Sequence, residues 1–237
     1  MEKHLYEQVS AGGRIWDNRG LLPRVYPILD IATLRRLEAD PFQAAEALLE
    51  GGARILQLRH KEFWSREMFH LAHRLATRCR EAGSRFVIND RADCAALTGS
   101  GLHLGQEDLT PEDARIVVGP LPVVGFSTHS AEQMQAAAGE PVDYVAFGPV
   151  FPTASKEQPS PTVGLEQLRA VREITSRPLV AIGGITRENA ALCWAAGADS
   201  VAVIADLHPV PWSAAAMRQR MTEWRRLGEQ FDQGLNL

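Results

Sequence analysis

The 237-residue sequence predicts an α/β fold, a single-domain (β/α)8 barrel. Three observations carry that expectation. Short apolar runs alternate with helix-like stretches from about residue 25 onward. Nearly every apolar run from residue 54 on stops at a polar or glycine-rich cluster. The length is close to the roughly 250 residues typical of one such barrel. Chemistry spread over many strand ends, rather than held in one loop, is how barrels of this class build a site at one face.

Residues 1–22 show no strong period and are expected to form an extension ahead of a catalytic barrel domain over 23–237. A first strand is expected at 25–29 (VYPIL), and Asp40 before Pro41 marks the start of a helix over 41–50. A strand at 54–58 leads to a helix over 65–82, where Met68, Leu71, Ala72, Leu75, Ala76 and Cys79 repeat at the spacing of one buried face. Strands at 86–89 and 101–104 flank a short helix at 91–98. Thr110 before Pro111 repeats the cap-and-proline signal for a helix over 111–118. A strand at 122–126 precedes a helix over 130–139, whose Ser130 and Gln133 have capping-box spacing. Strands at 143–147, 178–182 and 200–204, with helices over 164–176, 187–196 and 213–230, bring the expected total to eight of each. Gly51, Gly83, Gly139 and Gly197 stand where helices should stop. Runs such as YVAF are apolar on both faces, as strands of a helix-covered parallel sheet should be.

Composition narrows the function classes. Hydrophobic residues make up 45% of the chain, enough for a full core, and a net charge of −4 offers no general attraction for nucleic acid or anionic membrane. No apolar segment reads as a signal peptide or a membrane span. Cys79, Cys94 and Cys193 lie far apart without ligand spacing and are expected to be reduced thiols, which suits a cytoplasmic enzyme. A homo-oligomer is left open.

The polar clusters are QLRHK at 57–61, INDR at 88–91, HLGQED at 103–108, GFSTH at 125–129, FGPVFPTASK at 147–156 and IGGI at 182–185. In a strand, Gln57, Arg59 and Lys61 share one side while Leu56 and Leu58 share the other. A guanidinium and an ammonium converging at a barrel mouth suit a diphosphate. Asp90 and Asp108, at or just beyond neighbouring strand ends, are hard oxygen donors few enough to hold Mg2+ with phosphate oxygens completing its shell. No Cys/His set competes for zinc. Ser127 ends the fifth strand, and the stretch 148–164 is long for a βα loop, proline-rich, and carries Lys156, as an active-site loop should. Gly183 and Gly184 follow the seventh strand, where such barrels commonly seat a phosphate on backbone N–H groups. His60, His103 and His129 suit a supporting role better than that of a general base.

Taken together, these motifs resemble the thiamine phosphate synthase family over about residues 25–207, in order and spacing. The resemblance implies Mg2+-dependent coupling of a hydroxymethylpyrimidine diphosphate to a hydroxyethylthiazole phosphate, with thiamine phosphate and pyrophosphate as products. It further implies that Gln57, Arg59, Lys61, Asn89, Ser127 and Lys156 bind the pyrimidine diphosphate, and that Asp90 and Asp108 hold the metal. Thr153, Ala154, Ser155, Gly184, Ile204 and Ala205 would surround the thiazole phosphate. Leu58 and His60 complete the substrate-binding stretch, and Arg59, Lys61, Ser127 and Lys156 would act in catalysis. His60 stands where this family usually has glutamate, a change that bears on the diphosphate; Ser155, where threonine is common, keeps the hydroxyl, whereas Ala205, where serine is frequent, loses one, so a weaker hold on the thiazole phosphate is expected. Two other readings use the same barrel: a thiazole tautomerase, and a non-catalytic protein that binds thiamine phosphates. Isomerisation gives no reason to assemble Arg59, Lys61, Asp90, Asp108 and Lys156, and the binding protein would take up product without Mg2+-dependent release of pyrophosphate.

Overall fold

A computed structural model of the chain describes residues 22–153 and 161–234. Eight parallel strands close into a barrel in sequence order: β1 (Val25–Asp30), β2 (Ile55–Arg59), β3 (Arg85–Asn89), β4 (Gly101–Leu104), β5 (Val124–Thr128), β6 (Tyr144–Phe147), β7 (Leu179–Ile182) and β8 (Ser200–Val203). The ring closes where β1 pairs with β8, Tyr26 lying opposite Ala202.

Among the described residues nine α-helices surround the barrel: α1 (Ile31–Arg36), α2 (Pro41–Glu50), α3 (Arg66–Glu81), α4 (Ala92–Thr98), α5 (Pro111–Val118), α6 (Ala131–Ala137), α7 (Gly164–Ile174), α8 (Ala190–Ala195) and α9 (Ala214–Asp232). One more helix is present than the eight expected. It is α1, which starts directly from β1 because the side chain of Asp30 accepts the Thr33 N–H and caps it. The expected caps at Asp40 and Thr110 form, accepting from Gln43 N and Asp113 N. The expected capping box is displaced by one residue. Ser130 accepts from Gln133 N, but the Gln133 side chain accepts from His129 N–H (2.7 Å) instead of from Ser130.

Side-chain alternation sorts the core into two layers. Val25 and Leu29, Leu56 and Leu58, and Phe86 and Ile88 point outward to the helices, whereas Tyr26, Ile28, Ile55, Val87, Tyr144, Val180 and Ala202 fill the lumen. Leu22 packs against that filling from the strands' N-terminal end, and Ile182 and Ile204 do so from the other. The lumen is therefore a packed core, which Ser200, on the same face of β8 as Ala202, also enters from the first residue of that strand.

The N-terminal end is stapled by arginines. Asp143 accepts from Val124 N (2.8 Å) and from Arg115 (2.5 Å), and Asp199 accepts from Leu179 N (2.7 Å) and from Arg172 (2.9 Å). Arg177 reaches the carbonyl oxygens of Val142, Glu140 and Ala138. These groups satisfy the turn backbones that lead into β5 to β8.

Candidate active site

The C-terminal ends of β1 to β5 bring most of the polar clusters to one rim. Asp30 and Arg59 are register partners on neighbouring strands, and their side chains form an ion pair at 2.5 Å. Burial alone would raise the Asp30 carboxyl, but hydrogen bonds from Thr33 and from Arg59 outweigh it and hold the group below its ordinary value. Arg59 is thus held in place rather than left to swing. Asp30 was not anticipated, because the first strand was expected to stop one residue earlier.

Beyond β3 the chain turns sharply. Asp90 has φ 66°, in the left-handed region that aspartate tolerates better than most side chains, and its N–H donates to His103 O (2.8 Å). That turn lets its carboxylate take Lys61 Nζ at 2.5 Å and come within hydrogen-bonding reach of Asp108. Burial and the neighbouring Asp108 push the Asp90 carboxyl up to about 6, against the pull of Lys61. Arg91, its chain neighbour, pairs with Asp93 instead. The Asp108 Oδ2 accepts from Gly105 N (2.7 Å), while Thr110 caps α5. Asp90 and Asp108 are the described pair that could hold a hard divalent cation. No group of three or more His, Cys, Asp or Glu side chains that could hold a metal ion gathers anywhere among the described residues.

Asn89 is buried at the end of β3, and its Nδ2 has no hydrogen-bond partner among the described residues. Gln57 and Ser127 reach the upper lumen layer from β2 and β5, and Gln106 Nε2 fixes the Ser127 carbonyl at 2.6 Å. Two residues of the expected substrate-binding stretch turn their side chains away from the mouth. The Leu58 side chain is buried in the outer layer against the helices, since it alternates with Gln57, so it cannot line the mouth. His60 is tied to its own loop, Nε2 to Phe63 O at 3.1 Å, while its carbonyl accepts from Trp64 Nε1.

After β6, the segment 148–152 runs along the end of β7, with Val150 N donating to Ile182 O (2.8 Å) and Phe151 N to Gly183 O (3.0 Å). A Cβ on Gly183 would lie 2.4 Å from the Pro149 Cβ, and one on Gly184 would lie 2.4 Å from Pro152 O. The double glycine therefore makes room for this loop first. Asn189 then fastens the Gly184 turn, donating to Gly184 O and accepting from Thr186 N. Thr153 follows on that loop, and Ile204 and Ala205 lie at the end of β8, where a short 3-10 turn (Ala205–Leu207) begins. Val163 N donates to Pro149 O (2.8 Å), which pins the two ends of the long loop together. Ala154, Ser155 and Lys156 lie outside the described residues, as does nearly all of the 1–22 extension.

The profile of the thiamine monophosphate synthase family matches residues 25–207, from the first residue of β1 to the turn after β8. The chain belongs to that family. A thiamine-phosphate synthase of Koribacter versatilis is 48% identical over 216 residues, covering 87% of this chain and 96% of that one. The corresponding protein of Moorella thermoacetica is 42% identical over 183 residues, 76% of this chain and 87% of that one. Among solved structures, a thiamine phosphate pyrophosphorylase from Pyrococcus furiosus superposes with a TM-score of 0.74 at 33% identity, over 87% of this chain and 96% of that one. As a thiamine monophosphate synthase family member the chain is a transferase of thiamine biosynthesis that acts on small molecules. No helix among the described residues is long and apolar enough to cross a membrane.

Several elements of the site could not be foreseen. Tyr26 and Tyr144 meet in the lumen at 3.0 Å and link Gln57 to His103, yet each sits inside an apolar run that reads as plain core. His208 is buried beyond β8. Its Nδ1–H donates to Ile204 O (2.7 Å), and Nε2 has no partner among the described residues.

Proposed function

We propose that the chain condenses 4-amino-2-methyl-5-hydroxymethylpyrimidine diphosphate with 4-methyl-5-(2-hydroxyethyl)thiazole phosphate, giving thiamine phosphate and pyrophosphate with Mg2+ required. The observation that carries this reading is the meeting of Lys61, Asp90 and Asp108 at adjoining strand ends. Two neighbouring carboxylates, one of them paired with Lys61 and pushed up to about 6 by burial and its neighbour, make a site short of positive charge. That donor set fits Mg2+, which binds through one or two carboxylates together with substrate phosphate oxygens. Bound there, Mg2+ would neutralise charge growing on the departing pyrophosphate.

The residues of the chain divide the remaining work. Arg59, fixed by Asp30, and Lys61, steered by Asp90, present preplaced cations to the diphosphate, so little reorganisation is needed as its charge builds. Lys156 adds a third cation from the long loop. The carbon–oxygen bond to the pyrimidine methylene breaks with its electron pair going to pyrophosphate, and the thiazole nitrogen lone pair forms the new carbon–nitrogen bond. Asn89, Gln57 and Ser127 hold the pyrimidine ring during this step, while Thr153, Ala154, Ser155, Gly184, Ile204 and Ala205 seat the thiazole phosphate. No proton must be removed for the bond to form, which agrees with His60 and His129 being engaged with backbone carbonyls.

The test mixes both substrates with and without Mg2+ and follows the two products. Equal amounts of pyrophosphate and thiamine phosphate, formed only with Mg2+, are expected, and Asp90→Ala or Lys156→Ala should lower turnover about 100-fold or more. Thiazole isomerisation without pyrophosphate, or near-normal turnover in either variant, would overturn the assignment.

A further inference from the structure

A hydrogen-bonded chain crosses the barrel beneath the mouth. Gln57 Nε2 donates to Tyr26 Oη at 3.1 Å, and Tyr26 Oη lies 3.0 Å from Tyr144 Oη. Tyr144 Oη lies 2.9 Å from His103 Nδ1, and His103 Nε2 lies 2.9 Å from Ser127 Oγ. The two ends are the residues assigned above to the pyrimidine ring, while the three inner ones have been given no part in recognition. The inner residues are buried and closely set. The Tyr144 ring stacks on His103 at 5.6 Å, and a Cβ on Gly125 would lie 2.0 Å from its Cζ, so only glycine between His103 and Tyr144 in the strand register lets that ring lie flat.

Counting protons gives the chain a direction. Among the described residues Tyr26 Oη meets Gln57 and Tyr144, and it already accepts from Gln57, so its own proton goes to Tyr144. Tyr144 then donates to His103 Nδ1, a neutral imidazole carries its proton on Nε2, and Nε2–H donates to Ser127 Oγ. Ser127 keeps its own proton for a ligand, and Gln57 keeps its amide oxygen. The opposite direction is also complete, but only if the Gln57 amide turns over and every proton moves together. Gln57 then offers N–H and Ser127 offers lone pairs. With His103 neutral, any mixed state sets two donors or two lone pairs against each other at one link of the chain.

We propose that Tyr26, Tyr144 and His103 are specificity-determining positioning residues. They force Gln57 and Ser127 into opposite hydrogen-bonding senses, one acceptor and one donor, which suits a ring bearing both an amino donor and a nitrogen acceptor. The recognition half of this inference rests on the pyrimidine diphosphate reading; the coupling half does not.

The coupling is tested without substrate, by the nitrogen resonances of His103 in protein labelled with 15N-histidine. The unmodified protein should show the proton on Nε2. Gln57→Glu turns that end into an acceptor, so Tyr26 must donate to it, the chain reverses, and the His103 proton should move to Nδ1. In the Gln57→Glu/Tyr144→Phe double variant, and equally with Tyr26→Phe should the first fail to fold, the tautomer should no longer respond. A His103 tautomer indifferent to Gln57→Glu, or one that still responds with a tyrosine hydroxyl removed, overturns the proposal. Kinetics supply the second readout. Tyr144→Phe should raise KM for the pyrimidine diphosphate about 10-fold and leave KM for the thiazole phosphate unchanged. An equal rise in both, or a fall in kcat alone, counts against it. Absence of any turnover in the unmodified protein would instead overturn the proposed function and leave the tautomer result standing.

Discussion

His208 shows how one buried side chain makes stability depend on pH. Burial lowers its pKa below the ordinary 6.5, against the opposing effects of the Ile204 carbonyl and of Asp30. The folded protein therefore resists a proton that the unfolded chain accepts. Stability from this group is fully present above about pH 6.5 and is lost as pH falls below it through the depressed folded value. His208→Gln can still donate to the Ile204 carbonyl but does not titrate. Urea unfolding at pH 7 and pH 5 should show the unmodified protein losing more stability than the variant over that interval. Equal losses would mean that His208 takes up its proton freely in the fold. The same residue marks what a sequence conceals. The carbonyl it meets lies only four residues upstream, at Ile204, but nothing in LHPV announces that the fold buries the ring.

The elements were legible wherever their determinants are local. Thr110 and Pro111 together start α5, and the Asp113 N–H is taken by Thr110 Oγ1. Thr110→Ala should lower stability by about 1 kcal/mol, the usual worth of such a cap, and chemical denaturation should show it without a change in m-value. Strand limits were read to within one or two residues, because apolar runs stop abruptly at polar clusters; β5 is the largest slip, extending to Thr128 instead of stopping near 126. What escaped depends on distant partners. The helix α1 is set by Asp30, a residue that also holds Arg59 from the neighbouring strand, so neither role is visible in VYPILD alone. Tyr26 and Tyr144 are 118 residues apart and touch only because the barrel closes. Lys61, Asp90 and Asp108 were readable as a set because strand order places β2, β3 and β4 side by side once a barrel is assumed.

At the scale of the whole molecule, the barrel separates the two demands on its side chains. The N-terminal end carries arginines and aspartates that satisfy backbone groups and touch nothing at the mouth, whereas the C-terminal rim carries a crowded carboxylate pair that no stability argument would choose. Substitutions at the two ends should accordingly move different observables. Arg177→Leu removes donors from the carbonyls of Val142, Glu140 and Ala138, part of whose cost water recovers, so a loss of about 2 kcal/mol is expected, or roughly 4–8 °C in Tm for a domain of this size. Its kcat and KM at 25 °C should match those of the unmodified protein. Lys61→Ala should do the reverse. Lys61 is half-exposed, its pair with Asp90 adds little to folding, and Tm should stay within about 2 °C while turnover falls about 100-fold. Scanning calorimetry and steady-state kinetics on the two variants decide the matter. If Arg177→Leu slows turnover at a temperature where it is fully folded, the two ends of the barrel are energetically coupled, and the division of labour between floor and rim does not hold.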